Sequence, residues 1–301
     1  MAASYLSSPH FHDEAAAIEF VEARVWPNGP VCPHCGSTER IGRLQGKSTR
    51  LGVLKCYACR KPFTVRVGTI FEDSHLPLHL WLQAIFLVAS SKKGISSNQL
   101  HRVLGVTLKT AWFLSHRIRL SLEENVGKLS SGGGIVEADE TFIGRKLGEY
   151  KRRGGFGHKN TVLALVERGG KVRSEHVTDF SDVGGIFQKH GSADARLMTD
   201  EPRKFRKLGK DFKSHEVVNH SQKEYARGDV STNTIEGVFS IFKRGMTGVY
   251  QHCEAKYLHR YLAEFDFRYN NRISLGVDDH VRASNMIAGA VGKRLTYQKI
   301  A

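Results

Sequence analysis

The chain has 301 residues, with 45 Lys and Arg against 30 Asp and Glu, so it has room for more than one domain and carries a formal charge of +15. That excess points to a polyanionic partner, DNA or RNA or an acidic membrane surface, and a 40% hydrophobic content excludes a disordered chain. The longest apolar run, Leu80 to Ala89, is broken by Gln83 and is far short of the ~20 residues that span a bilayer. Met1-Ala-Ala-Ser-Tyr5 lacks a basic segment followed by an apolar core, so a cytoplasmic, nucleoid-associated protein is expected.

In chain order, residues 1–29 form an N-terminal helical segment, with Ala16, Ile18, Phe20 and Val21 in a short helix that Pro27 stops. Residues 30–72 contain Cys32-Pro-His-Cys35 and, 20 residues further on, Cys56-Tyr-Ala-Cys59. Two such knuckles at this separation are the spacing of a four-thiolate zinc ribbon, and four thiolates leave no open position, so the zinc is structural. Ile41, Leu44, Val53, Leu54 and Phe63–Val67 are its candidate strands.

Residues 73–126 read as helical and DNA-binding. An amphipathic helix over 76–91 precedes a helix-turn-helix pattern. Ser96 or Ser97 caps its first helix, and Leu100, Val103 and Leu104 face inward. Gly105 makes the turn and Thr107 caps the second helix. Lys109, Thr110 and Arg117 are its candidate DNA contacts. An ordinary helical hairpin explains the same pattern without DNA.

Gly127–Gly134 reads as a flexible linker. Beyond it, strands are expected at 135–139, 161–167, 171–178, 195–199 and 215–219, with helices near 182–190, 233–244 and 255–270. That order is the order of an RNase H-like domain, here over 135–275, with 276–301 as a surface tail. The fold class is therefore α+β and multidomain.

Three separated acids stand out in this second half. Asp139 ends a strand-like apolar run, Asp200 follows Arg196-Leu-Met-Thr199, and Glu236 lies in Asn233-Thr-Ile-Glu236. A buried carboxylate is costly unless it is paired or binds a metal. Carboxylates holding divalent ions, Mg²⁺ or Mn²⁺, suit phosphoryl transfer on nucleic acid, where two ions ~3.5–4 Å apart activate the nucleophile and neutralise the leaving oxygen. Glu140, pointing to the opposite face, is the weaker ligand. Each acid also has a bland explanation. Asp139 could shape a turn and Asp200 could cap a helix, while Asn233 and Glu236 together form a capping box. Basic residues follow both aspartates: Arg145, Lys146, Arg152 and Arg153 after the first, Lys204 after the second. With Lys243 and Arg244 they are candidate phosphate contacts. His220, His252 and Cys253 could be site residues but read more readily as packing or surface residues, and no glycine-rich nucleotide loop is present, so no nucleotide cofactor is expected.

Cys32-Pro-His-Cys35-Gly, Cys56/Cys59, Val136-Glu-Ala-Asp-Glu-Thr-Phe-Ile-Gly144, Asn233-Thr-Ile-Glu-Gly237 and Tyr261–Arg272 together resemble the bacterial insertion-sequence transposases of the family numbered fifteen ninety-five. The resemblance runs from about residue 12 to 275. It implies an N-terminal zinc ribbon and an RNase H-like DDE domain that cleaves and joins duplex DNA with Mg²⁺, acting as a homo-oligomer on element ends. Asp139 and Asp200 match the first two catalytic acids, and Glu236 is the natural third, with Asn233 as alternate. Arg145 stands where a second glycine is expected. A regulator that kept the fold without catalysis, or a nuclease of RNA–DNA hybrids, are the rival functions.

Overall fold

The computed structural model describes residues 4–123, 126–150, 155–200, 205 and 208–296. They fall into two units, one made of the chain up to Glu123 plus the segment from Asp278 onward, the other of the chain between them.

In the first unit, helix α1 (Glu14–Val25) starts at Asp13, whose carboxylate accepts from the Ala16 amide. Strands β1 (Ile41–Arg43), β2 (Leu54–Cys56) and β3 (Pro62–Phe63) form a small antiparallel sheet. The expected strand through Val67 stops at Phe63, because Thr64–Val67 turns back on itself with the Val67 amide on the Thr64 carbonyl. Helix α2 (Leu78–Ser90) buries Trp81, Leu82, Ile85 and Val88. Helices α3 (Ser97–Leu104) and α4 (Leu108–Ser121) form the helix-turn-helix. Ser96 and Thr107 are their N-caps, accepting from the Gln99 and Thr110 amides, and Gly105 turns the chain at φ +65°. Val103, expected inward, is 56% exposed, while Leu100 and Leu104 alone supply the buried face.

The second unit is a five-stranded mixed sheet in the order β6-β5-β4-β7-β8. Its strands are β4 (Gly134–Ile143), β5 (Asn160–Glu167), β6 (Val172–Val177), β7 (Ala195–Thr199) and β8 (Ser214–Val217). The first three run antiparallel, and β7 and β8 run parallel to β4, the arrangement expected of an RNase H-like domain. Helix α5 (Val183–His190) covers one face through Val183, Ile186 and Phe187, packed with Val136, Ala138, Leu163 and Leu165. The other face carries α6 (Asn233–Gly245) and α7 (Leu258–Asn270), packed on Val162, Ala164 and Val166. A small hairpin, β9 (Ala226–Arg227) and β10 (Val230–Ser231), leads into α6. The stretch between β7 and β8 is described only in part.

Two expectations about the chain's organisation are corrected. Residues 127–134 are not a free linker: Leu129 is 2% exposed, its amide donates to His190 O, and Ser130 Oγ donates to a Glu167 carboxylate oxygen. The residues after 275 are not a surface tail. Asp278 caps helix α8 (Asp279–Ala288), which belongs to the first unit, with Arg24 bonded to Ser284 and Arg282 to Ala89 O.

A candidate acidic centre and a four-thiolate site

The four cysteines come together. Cys32 Sγ lies 3.7 Å from Cys59 Sγ, Cys35 Sγ lies 3.7 Å from Cys56 Sγ, and all four sulfurs are within 4.8 Å of one another. A tetrahedron with zinc–sulfur legs of ~2.3 Å has edges of about 3.8 Å, so the thiol set fits zinc.

The acids are assembled by the sheet. Parallel pairing of β4 and β7 runs from Gly134 opposite Ala195 to Glu137 opposite Met198. Two residues further along each strand, on the same face, come Asp139 and Asp200, the latter just past the end of β7. Asp139 is not at its strand's end as expected, because β4 continues to Ile143 against β5. It stands where β7 has left off, at the carboxyl ends of the parallel strands, where open sheets present their sites. Burial pushes the Asp139 carboxyl up to about 7, and the charge of Asp200 adds to the push; the Glu140 amide opposes it, and the Glu140 and Glu236 charges add the rest. A carboxylate so destabilised favours a cation beside it.

Helix α6 brings Glu236, and the capping-box explanation for it does not hold. The N-cap is Thr232, not Asn233, and the Glu236 carboxylate accepts only from Thr232 Oγ1, at 3.3 Å. The free amides at the helix start go to Glu137, whose Oε2 accepts from Thr234 N at 2.8 Å and Ile235 N at 3.0 Å. Glu137 is fully buried, and its Oε1 accepts from Thr234 Oγ1 and from both Nε and Nη2 of Arg168. Arg168 also holds Asp229 O and Ser231 O, in the hairpin before α6. Glu137 thus fixes the helix that carries Glu236 onto the strand that carries Asp139, two residues away. Alternation placed Glu137 on Asp139's face, but nothing in its neighbours foretold a partner 97 residues on.

His220, read from the sequence as a packing or surface residue, lies beside the acids. Its ring lies between two of the acids, Nδ1 at 4.0 Å from Asp200 Oδ2 and Nε2 at 3.7 Å from Glu236 Oε1. The residues fit a hard divalent cation: oxygen donors converge, one of them destabilised as an anion, and the His220 Nε2 is buried with no hydrogen-bond partner. The group is more open than the thiol set, which alone among the described residues has three or more ligand atoms mutually within 4.8 Å.

Residues 131–270 match the ISXO2-like transposase domain, and residues 12–62 match the transposase zinc-ribbon domain. The chain is an insertion-sequence transposase of this family. An "uncharacterized protein in transposable element ISH50" from Halobacterium salinarum (strain ATCC 700922 / JCM 11081 / NRC-1) is 26% identical over 258 residues, 79% of this chain and 84% of that one. No solved structure matches. The transposase is a nucleic-acid-processing enzyme whose ribbon and charge equip it for DNA.

The expected DNA contacts of this transposase divide. Lys109, Lys243 and Arg244 are exposed, with Thr110 half-buried in the first turn of α4. Arg145 is exposed but tied to its own loop through Glu149 O, and Lys146 is half-buried. Arg152, Arg153 and Lys204 lie outside the described residues. Arg117 is a correction. It is 3% exposed, lies over the Trp81 and Phe113 rings at 5.2 and 5.5 Å, and donates to Glu72 O. Burial pulls its pKa down to about 10, so it stays charged as a core cation rather than a phosphate contact. Among the described residues no helix is long and apolar enough to cross a membrane.

Proposed function

We propose that this transposase cleaves and joins DNA strands at Asp139, Asp200 and Glu236, with Mg²⁺ or Mn²⁺ held by the three carboxylates. The observation that supports this most directly is geometric. The β4–β7 register aligns Asp139 with Asp200, and His220 lies within 4.0 Å of both Asp200 and Glu236. A bound divalent ion would lower the pKa of an attacking water or 3′-hydroxyl and neutralise charge on the phosphate. The chain's own part is to hold those oxygens rigidly: Asp139 from a strand paired to β5, Glu236 from a helix fixed by Glu137. Lys243 lies seven residues along α6 from Glu236, where a cation meets the backbone of the bound strand. The ribbon and the helix-turn-helix, through Lys109 and Thr110, bind the element ends, and two ends brought together call for two or more copies of the chain.

The test is a strand-cleavage and strand-transfer assay on element-end duplex, with Mg²⁺ or Mn²⁺. Asp139→Asn, Asp200→Asn and Glu236→Gln are each expected to bind ends normally and lose cleavage and joining by at least about 10³-fold. Full activity in Glu236→Gln would hand the third place to Asn233. End binding without chemistry in the unaltered protein would favour a regulator.

A further inference from the structure

Resting on that acidic centre, we infer that His220 is a fourth donor to its divalent ion, ligating through Nε2 beside Glu236 while Nδ1–H is directed at Asp200. Three features of the ring carry this. Nε2 is buried and makes no hydrogen bond, a state that polar atoms inside proteins seldom tolerate without an ion or water. Its distance to Glu236 Oε1, 3.7 Å, is too long for a hydrogen bond. It is the right length for two donors on one ion: legs of ~2.1 Å place donors between about 3.0 Å apart at a right angle and about 4.2 Å when opposed.

The second nitrogen completes the arrangement. One imidazole cannot give both nitrogens to the same ion, so Nδ1 keeps its proton and faces Asp200 Oδ2 at 4.0 Å. Ligating histidines commonly carry a carboxylate beside the other nitrogen, and Asp200 stands there just beyond hydrogen-bond length.

The backbone holds the ring in place. Val218 N donates to Thr199 O, tying the end of β8 to the residue before Asp200. Asn219 Oδ1 accepts from Ser221 N, closing the 3-10 turn His220–Gln222, and Tyr225 packs against the ring at 5.2 Å.

A nitrogen donor shifts a site of carboxylates toward Mn²⁺ over Mg²⁺, since imidazole suits transition ions. The experiment is pulsed EPR of the full-length, zinc-loaded protein titrated with Mn²⁺, for the unaltered chain, Asp139→Asn, His220→Ala and His220→Gln. Circular dichroism confirms that each variant is folded. The expected result is a ¹⁴N modulation on bound Mn²⁺ that disappears in both His220 variants, with the Mn²⁺ dissociation constant raised about tenfold or more. Mn²⁺ uptake that Asp139→Asn abolishes, with no ¹⁴N modulation in the unaltered chain or one unchanged in the His220 variants, overturns the role of His220 and leaves the acidic centre standing. Uptake unaffected by Asp139→Asn overturns the centre and His220 with it.

Discussion

The four-thiolate site of this transposase and its proposed acidic centre are built in opposite ways. The thiol set comes from two four-residue knuckles, closes on itself, and spans no more than 4.8 Å. The acidic set comes from a strand, a strand end, a short turn and a helix start, spread over residues 139 to 236. One is local chain geometry that a metal completes. The other is tertiary structure that must stand before a metal arrives. A ribbon with a three-stranded sheet and a four-residue buried cluster cannot hold its shape without its ion, whereas the acidic set inherits its shape from a five-stranded sheet covered on both faces.

The largest expected effect tests that asymmetry. Zinc chelation, or Cys56→Ser, should unfold the ribbon, since structural zinc contributes roughly 10 kcal/mol or more to such modules. Divalent-ion removal should leave the catalytic unit folded. Amide hydrogen exchange reads both: protection is lost in β1–β3 and kept in β4–β7.

Next is Glu137→Ala. It strands Arg168 and the Thr234 and Ile235 amides, and breaking such a buried pair costs about 3 kcal/mol or more. A urea titration should show that loss, and Glu137→Gln, which keeps the shape, should lose less. Equal losses would mean that the charge contributes nothing to holding α6.

Asp139 gives a pH dependence. Its folded pKa of about 7 lies above the ordinary carboxylate value, so its contribution to stability is present below pH ~4 and lost as pH rises through about 7. Asp139→Asn should therefore raise the melting temperature of the divalent-free protein at pH 8, but not at pH 4. In the unaltered chain Mg²⁺ should give a similar gain at pH 8. No difference between the two pH values would contradict the burial and crowding of Asp139.

The smallest effect is local. Thr107→Ala removes the cap of α4 and should cost about 1 kcal/mol by denaturant titration, weakening end binding without touching strand cleavage at saturating DNA.

The same contrast explains what the chain revealed before its structure. The cysteine knuckles, the caps at Ser96 and Thr107 and the turn at Gly105 each act over a few residues, so their spacing declares them. Asp139 and Asp200 were legible because each follows an apolar strand, and the parallel register does the rest. What failed was non-local. The capping box at Asn233 and Glu236 is locally valid, yet the helix begins one residue earlier, with Glu236 N on Thr232 O, and a carboxylate from β4 takes the Thr234 and Ile235 amides. Arg117 carries the charge of a DNA contact but falls on the face of α4 that packs on Trp81. The segment after 275 looked like a tail because its contacts on α1 and α2 lie 260 and 193 residues earlier. His220 lacks any motif of its own; it gains a role only where β8 ends beside Asp200.

The central claim is that Asp139, Asp200 and Glu236 surround one divalent-metal centre. Iron-directed backbone cleavage tests it most directly: Fe²⁺ substituted into the folded, zinc-loaded protein, with ascorbate and peroxide, cuts the chain beside whatever binds it, and mass spectrometry maps the cuts. The account predicts cuts at three separated places, beside Asp139, Asp200 and Glu236, all suppressed together by excess Mg²⁺ or Mn²⁺. Cuts confined to one of these segments, or a pattern that Mg²⁺ and Mn²⁺ do not suppress, would contradict it.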